Sequence, residues 1–313
     1  MKILIALRAN EHHKEQLQRN ATGAELLFVP ADQVREEDLA DVDAIIGNVP
    51  TELLPAAKKL RWLQLNTAGA DTYCKEGVLK DDVLLTNATG AYGLALSEHL
   101  LAQLLAMMKK LYPYYDNQKK GIWHDEGSVT SIEDATVLIL GAGDIGRAFA
   151  RRVKALGGVR RREGAKPFGI DEMGTMEELD SLLARADVVV SVLPGTTATR
   201  GIFDKKRFTA MKKGSYFLNI GRGNAVVTED LIEVMKEGRL AGAALDVTDP
   251  EPLPADHSLW HTPNIYITPH ISGDDHLSAT QDKIVQIAAR NLAAFMQGVP
   301  LENLVNRTTG YKD

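Results

Sequence analysis

Short apolar runs alternate with helix-like stretches from one end of this chain to the other. The first set reads KILIAL (2–7), AELLFV (24–29), DAIIGNV (43–49), LRWLQL (60–65) and VLLTN (83–87). The second reads TVLIL (136–140), VRR (159–161), DVVVSVL (187–193), SYFLNI (215–220), GAALDV (242–247) and NIYITP (264–269). Strands recurring at this spacing, with helical patterns such as 11–20 and 51–59 between them, build βαβ units and parallel sheets. Between the two sets lies LALSEHLLAQLLAMMKKLY (94–112), apolar nearly all round and therefore expected to be buried or pressed against a partner. A last helix is expected over about 274–298. The expected class is α/β, with two doubly wound parallel-sheet domains. The second series sits inside the first domain, giving 1–93 with 282–313 as one domain and 94–281 as the other.

Composition removes several kinds of function. The 313 residues carry a net charge of −6, with 44% hydrophobic and 25% charged residues, as in an ordinary globular protein. A nucleic-acid partner would need clustered Lys and Arg, and RRREG (160–164) is one short basic run. No apolar stretch has the length of a membrane span. The N-terminal ILIAL is too short for a signal peptide and reads as a strand. The single cysteine, Cys74, excludes an internal disulfide. The cytoplasm is the expected compartment.

The stretch LGAGDIG (140–146) follows an apolar run and leads into RAFARRVKAL. A GxGxxG pattern gains meaning only with a strand before it and a helix after it, and this one has both. Gly141 would permit the tight turn, Gly143 would admit a pyrophosphate, and Gly146 would let the helix close on the strand. The helix start would add free N–H groups and the positive end of a dipole. The alternative is a structural turn with no ligand. Where an acidic residue would meet the adenine ribose of NAD, the chain has Arg160, Arg161 and Arg162. An arginine here suits the 2′-phosphate of NADP. A solvated basic turn is the plainer alternative, and GGVRR is short for a central strand. NADP is the preferred cofactor and NAD the other.

Ligands of open parallel sheets bind beyond the carboxyl ends of the strands. Those ends carry Pro194 and Thr199, then Arg222, then Asp246 and Glu251, and finally His270. A nicotinamide delivers hydride to a ketone carbon. The resulting alkoxide needs a proton, which a histidine supplies near neutral pH. A glutamate beside it would favour the imidazolium and orient the ring. An arginine grips a carboxylate with two parallel bonds. The set points to a 2-keto acid, or to a 2-hydroxy acid in reverse. The structural alternatives are a core histidine, a turn carboxylate, a salt-bridged arginine and, for Asp246, a backbone cap. His99, in the apolar helix, reads as a core residue. No histidine spacing resembles a metal site.

Taken together, NTAGAD (66–71), NATGAYGLALSEHLLAQLLA (87–106), LGAGDIGRAFA (140–150), ADVVVSVLPGTTATRGIF (186–203), MKKGSYFLNIGRGNAVV (211–227), GRLAGAALDVTDPEPLPADHSLW (238–260) and PNIYITPHISG (263–273) carry a family likeness. The chain resembles the D-isomer-specific 2-hydroxyacid dehydrogenases over almost its whole length, with the NADP-using glyoxylate and hydroxypyruvate reductases as its nearest kind. The resemblance implies a Rossmann cofactor domain inserted into a flavodoxin-like substrate domain. It implies that Arg222 binds the substrate carboxylate and that His270 and Glu251 handle the proton. Cofactor contacts carry over to Gly141, Gly143, Asp144, Ile145, Gly146, Pro194, Thr199, Ile220, Gly221, Asp246 and Gly273, with Arg160 and Arg161 for the phosphate. The backbone of Ala68, Gly69 and Ala70 would meet the substrate carboxylate from the other domain. Members are usually homodimers, and helix 94–112 is expected at that interface. A different class stays open: a dinucleotide-sensing protein on the same fold, like the corepressors related to this family.

Overall fold

A computed structural model describes residues 1–156, 170–273 and 276–308, and the backbone of 311–312. The chain forms two compact units, Met1–Tyr92 with Asp275–Asp313, and Gly93–Asp274.

The first unit is built on five parallel strands: β1 (Lys2–Ile5), β2 (Glu25–Phe28), β3 (Ala44–Ile46), β4 (Trp62–Gln64) and β5 (Leu84–Thr86). Their order is β2-β1-β3-β4-β5, the flavodoxin-like arrangement. Successive side chains of a strand point to opposite faces, and both faces here are covered. Ile3, Ile5, Ala44, Ile46 and Trp62 pack with Leu17 of helix Glu11–Asn20 and with Val285, Leu292 and Phe295 of helix Ser278–Gln297. Leu4, Ile45, Leu63 and Leu85 pack with Val34, Leu39, Leu54 and Tyr73 on the other face. Burial on two sides is why these strands read as unbroken apolar runs.

The helix Ser278–Gln297 belongs to this unit from its start. Gln281 Nε2 donates to the Arg8 carbonyl at 2.9 Å, and Asp282 meets the buried His13 at 2.8 Å. The crossing between units therefore precedes the expected residue 282. Deeper in, Asn291 Nδ2 donates to Gln64 Oε1 at 2.7 Å, and Thr86 Oγ1 donates to the same oxygen at 2.8 Å. Trp62 Nε1 closes the chain onto Thr86 Oγ1 at 2.9 Å. Every member of this buried network has a partner, as low-dielectric surroundings demand.

The second unit has its own parallel sheet: β6 (Val137–Leu140), β7 (Val188–Ser191), β8 (Tyr216–Asn219), β9 (Gly242–Leu245) and β10 (Ile265–Ile267), in the order β10-β9-β8-β7-β6. Leu140, Val189, Phe217, Ala243 and Leu245 join one cluster with Phe203, Phe208, Leu231 and Val234. The Phe203 and Phe208 rings meet Phe217 at 4.8 and 5.2 Å in edge-to-face geometry. The expected strand at 159–161, with Arg160, Arg161 and Arg162, lies outside the described residues.

Two helices differ from expectation. The apolar segment 94–112 is not one helix. It forms Gly93–Met108, then breaks at Lys110 (φ 55°), and Leu111–Lys119 follows. Pro113 explains the break, because its ring lacks an N–H and would collide with the carbonyl of residue 109 in a continuous helix. Residues 51–59 form only the 3-10 turn Thr51–Ala56, which contains Pro55. No helix among the described residues is long and apolar enough to cross a membrane.

Helix Asp144–Ala155 buries Gly146, Ala148, Phe149, Ala150 and Val153. Its approach depends on two glycines. Gly141 has φ +109°, and a Cβ there would lie 2.9 Å from the Val192 carbonyl oxygen. A Cβ on Gly146 would lie 2.0 Å from the Gly141 carbonyl oxygen. By contrast, a Cβ on Gly143, the N-cap, meets nothing within 4 Å. Gly146→Ala should therefore lower the unfolding free energy by about 1–3 kcal/mol through overpacking. Gly143→Ala should cost less than about 1 kcal/mol. Urea unfolding followed by circular dichroism reads both, and equal losses would contradict the assigned roles.

Candidate active site

The C-terminal edge of the second sheet begins with the glycine loop after β6. Gly143 is exposed, and the amides of Asp144 and Ile145 open helix Asp144–Ala155 behind it. Free N–H groups, a dipole end and empty space at the middle glycine fit a pyrophosphate. The Asp144 carboxylate has a task inside the unit, accepting from the Gly93 amide at 2.9 Å and so capping helix Gly93–Met108.

The loops after β7 and β8 are locked together. Thr199 donates its hydroxyl hydrogen to the Pro194 carbonyl and accepts from the Thr196 amide at 2.9 Å, so both expected contact residues belong to one tight turn. Ile220 is buried, its amide donating to the Ser191 carbonyl at 3.1 Å. A Cβ on Gly221 would lie 2.4 Å from the Leu193 carbonyl oxygen, which makes this glycine the joint between the two loops. Arg222 follows at once. Its backbone carbonyl accepts from the buried Asn219 Nδ2 at 2.9 Å, and its Nη1 donates to the Gly221 carbonyl at 2.8 Å. A Cβ on Gly195 would stand 3.1 Å from Arg222 Cγ, so that glycine makes room for the arginine stem. Gly223 joins this loop to the next, because a Cβ there would lie 1.8 Å from the Thr248 carbonyl oxygen.

The loop after β9 carries Glu251. The Thr248 amide donates to its Oε1 at 2.8 Å, and its Oε2 lies 3.0 Å from His270 Nδ1. The glutamate is thus fixed at one oxygen and orients the imidazole with the other. His270 has φ 52°, a left-handed conformation in which a non-glycine residue stores strain. Its amide donates to the Asp246 carbonyl at 2.8 Å and to the Thr268 carbonyl at 3.0 Å.

Asp246 holds that loop in shape. Its side chain is 1% exposed. Oδ1 accepts from the Thr268 hydroxyl at 2.6 Å and from the Ile271 amide at 3.1 Å. Oδ2 accepts from the Ser272 amide at 3.1 Å and from the Ser272 hydroxyl. A carboxylate has about four lone-pair sites, so the segment leading to Gly273 satisfies Asp246 completely. This geometry makes Asp246 an anchor for the loop that carries His270. His99 Nε2 reaches the same place, 3.2 Å from Thr268 Oγ1.

The structure thus joins His270 and Glu251 directly and sets Arg222 on the end of the adjacent strand. Arg160 and Arg161 lie outside the described residues. Thr248, Gly223, Asn219, Thr268 and Ser272 escaped the sequence reading. A hydroxyl two residues before His270 and another two after it, in ITPHIS, was the available signal for the last two. Among the described residues, no three His, Cys, Asp or Glu side chains are placed to hold a metal ion.

In the first unit, the loop containing Ala68, Gly69 and Ala70 is held from several sides. Asn48 and Asn66 exchange backbone-to-side-chain hydrogen bonds, both 3.0 Å. Asn87 Nδ2 donates to the Ala68 carbonyl at 2.7 Å, and Thr67 Oγ1 to the Gly69 carbonyl at 2.8 Å. The Tyr92 hydroxyl donates to the Asn66 carbonyl. Cys74 is half-buried, and its thiol is pushed up by burial and then by Asp71.

Comparison with known proteins agrees with this arrangement. Residues 101–272 match the family model described as D-isomer specific 2-hydroxyacid dehydrogenase, NAD binding domain. The chain is 32% identical to glyoxylate/hydroxypyruvate reductase B of Pectobacterium carotovorum over 97% of both chains. A solved D-isomer specific 2-hydroxyacid dehydrogenase family protein from Aeromonas salmonicida superposes with a TM-score of 0.85 at 33% identity, over 98% of this chain and 99% of that one. The NADPH-dependent glyoxylate/hydroxypyruvate reductase of Sinorhizobium meliloti, solved with NADP and sulfate, superposes with a TM-score of 0.81 at 29% identity over 99% of each. The chain belongs to the D-isomer-specific 2-hydroxyacid dehydrogenase family.

Proposed function

We propose that this chain reduces a small 2-keto acid of the glyoxylate or hydroxypyruvate type to the D-2-hydroxy acid with NADPH. The observation that carries the reading is the Glu251–His270 hydrogen bond, 3.0 Å long, on the sheet edge that also bears the glycine loop and Arg222. The names of the Pectobacterium and Sinorhizobium relatives support the substrate and cofactor class. NADP is preferred over NAD on the same ground and on Arg160 and Arg161, which suit a 2′-phosphate.

A bound nicotinamide dinucleotide supplies the hydride. The chain's own groups do the rest. The amides of Asp144 and Ile145, beside the open Gly143, hold the pyrophosphate. Pro194, Thr199, Ile220, Gly221 and Gly273 line the same edge. Arg222 grips the substrate carboxylate, and its positive charge draws electron density from the neighbouring carbonyl. Glu251 keeps His270 Nδ1 protonated and the ring turned, which leaves Nε2 to give its proton to the oxygen that becomes the alcohol. The Thr248 amide prevents Glu251 from swinging away. Ala68, Gly69 and Ala70 keep their proposed role as amide donors to the substrate carboxylate, supported by the family resemblance.

We also propose a cytoplasmic homodimer. Helix Gly93–Met108 buries Leu96, Leu100, Leu104, Met107 and Met108 and leaves Leu101 and Leu105 partly exposed, and the proposed interface runs on from it into the segment that follows. There Leu111, Tyr115, Ile122, Trp123 and Val129 are all exposed, and Trp123 fully so. Large apolar side chains gathered on one segment suit a second copy of the chain.

Four outcomes are expected. In an assay of NADPH absorbance with glyoxylate or hydroxypyruvate, His270→Ala should lower kcat by about 10²–10⁴-fold. Arg222→Lys should raise KM and lower kcat together, because a point charge replaces a fork. Tight NADPH binding without turnover of any 2-keto acid would favour the dinucleotide-sensing alternative. Replacing Arg160 and Arg161 by Ala should weaken NADPH more than NADH in a binding titration, and an unmoved preference would reduce them to surface charge. Trp123→Glu with Leu111→Glu should convert the sedimenting species from dimer to monomer, whereas an unchanged coefficient removes this interface.

A further inference from the structure

We propose that His99 is a positioning residue for His270, acting through Thr268 and the Asp246 carboxylate. The proposal rests on the reductase reading above, and it concerns a side chain that touches none of the reacting groups.

The argument starts from hydrogen counting. A threonine hydroxyl has one hydrogen. Thr268 gives its hydrogen to Asp246 Oδ1 at 2.6 Å, so it can only accept from His99, whose Nε2 lies 3.2 Å away. His99 is therefore the donor, with its hydrogen on Nε2. The result is a directed chain, His99 N–H to Thr268 O–H to carboxylate. Each bond in such a chain polarises the next, and low-dielectric surroundings strengthen the effect. The imidazole is only 21% exposed, and its Nε2 lies 3.9 Å from Asp246 Oδ1.

The other end of the chain is the loop that carries His270. Asp246 receives the amides of Ile271 and Ser272, the two residues that follow His270. The Thr268 amide donates to the Leu245 carbonyl at 2.9 Å, and the His270 amide to the Asp246 carbonyl at 2.8 Å. These bonds, with a second bond from the His270 amide to the Thr268 carbonyl at 3.0 Å, hold His270 at φ 52°. A left-handed histidine relaxes when its restraints loosen, because the conformation is strained. Thr268 is the residue through which His99 braces that restraint. Helix Gly93–Met108 gives His99 a rigid base, being packed on helix Asp144–Ala155 and on β8 and β9.

The test compares His99→Leu, His99→Gln, Thr268→Val and the double variant His99→Leu/Thr268→Val. Wild-type turnover of glyoxylate with NADPH is measured first, and its absence would fail the functional reading without bearing on the brace. In an active enzyme, His99→Leu should lower kcat by about 10–100-fold, the loss expected from a small displacement of a reacting group. KM for the keto acid and the NADPH dissociation constant should stay within about twofold, because Arg222 and the glycine loop are untouched. His99→Gln keeps an N–H donor at similar reach and should recover most of kcat. Thr268→Val should match His99→Leu, and the double variant should be no worse than either single one, since all three break one chain. Unchanged kcat in His99→Leu, a Gln variant as poor as the Leu variant, or additive losses in the double variant would each overturn the proposal. If His99→Leu fails to fold, Thr268→Val alone decides it, by the same separation of kcat from KM.

Discussion

A buried carboxylate governs the reacting edge of this protein. Asp246 sits at the end of β9 with its side chain out of water, where an unsatisfied charge would cost several kcal/mol. Two amides and two hydroxyls of residues 268–272 surround it, and they all come from the segment that follows β10. That segment cannot relax without stripping hydrogen bonds from a charge. The imidazole of His270 is consequently presented from a left-handed backbone conformation that few non-glycine residues adopt.

Glycines extend this rigidity sideways. Gly221 presses the β8 loop against the β7 loop, and Gly223 presses it against the β9 loop. In each case backbone oxygen occupies the space where a side chain would begin. The arginine between them therefore inherits its position from its neighbours on both sides. Glu251 is set in the same indirect way, by the amide of Thr248, the residue whose carbonyl meets Gly223. Four consecutive strand ends form one mechanical piece.

Much of this was readable in the sequence, for identifiable reasons. Both sheets were legible because strands buried on two faces leave uninterrupted apolar runs, as in Ile3–Ile5 and Val188–Val190. The shared edge of His270, Glu251 and Arg222 was legible because a parallel sheet sends every strand end to one side. Pro113 could have announced the break after Met108, but the apolar character of the segment outweighed it. Asp246 read equally well as a ligand contact or a structural group. The placement of Thr268, Ile271 and Ser272 around it shows the structural role, and nothing in residue spacing reveals how a loop folds back. His99 was hidden for a similar reason: its partner, Thr268, lies 169 positions away.

The sheet also acts as a ruler. Arg222, Glu251 and His270 follow β8, β9 and β10, which are consecutive neighbours. Adjacent strands lie about 4.8 Å apart whatever their sequence. The lateral spacing of the three strand ends that lead to these residues is therefore set by backbone geometry. Loop sequences can change what each strand end carries, while the spacing between the ends is inherited with the sheet.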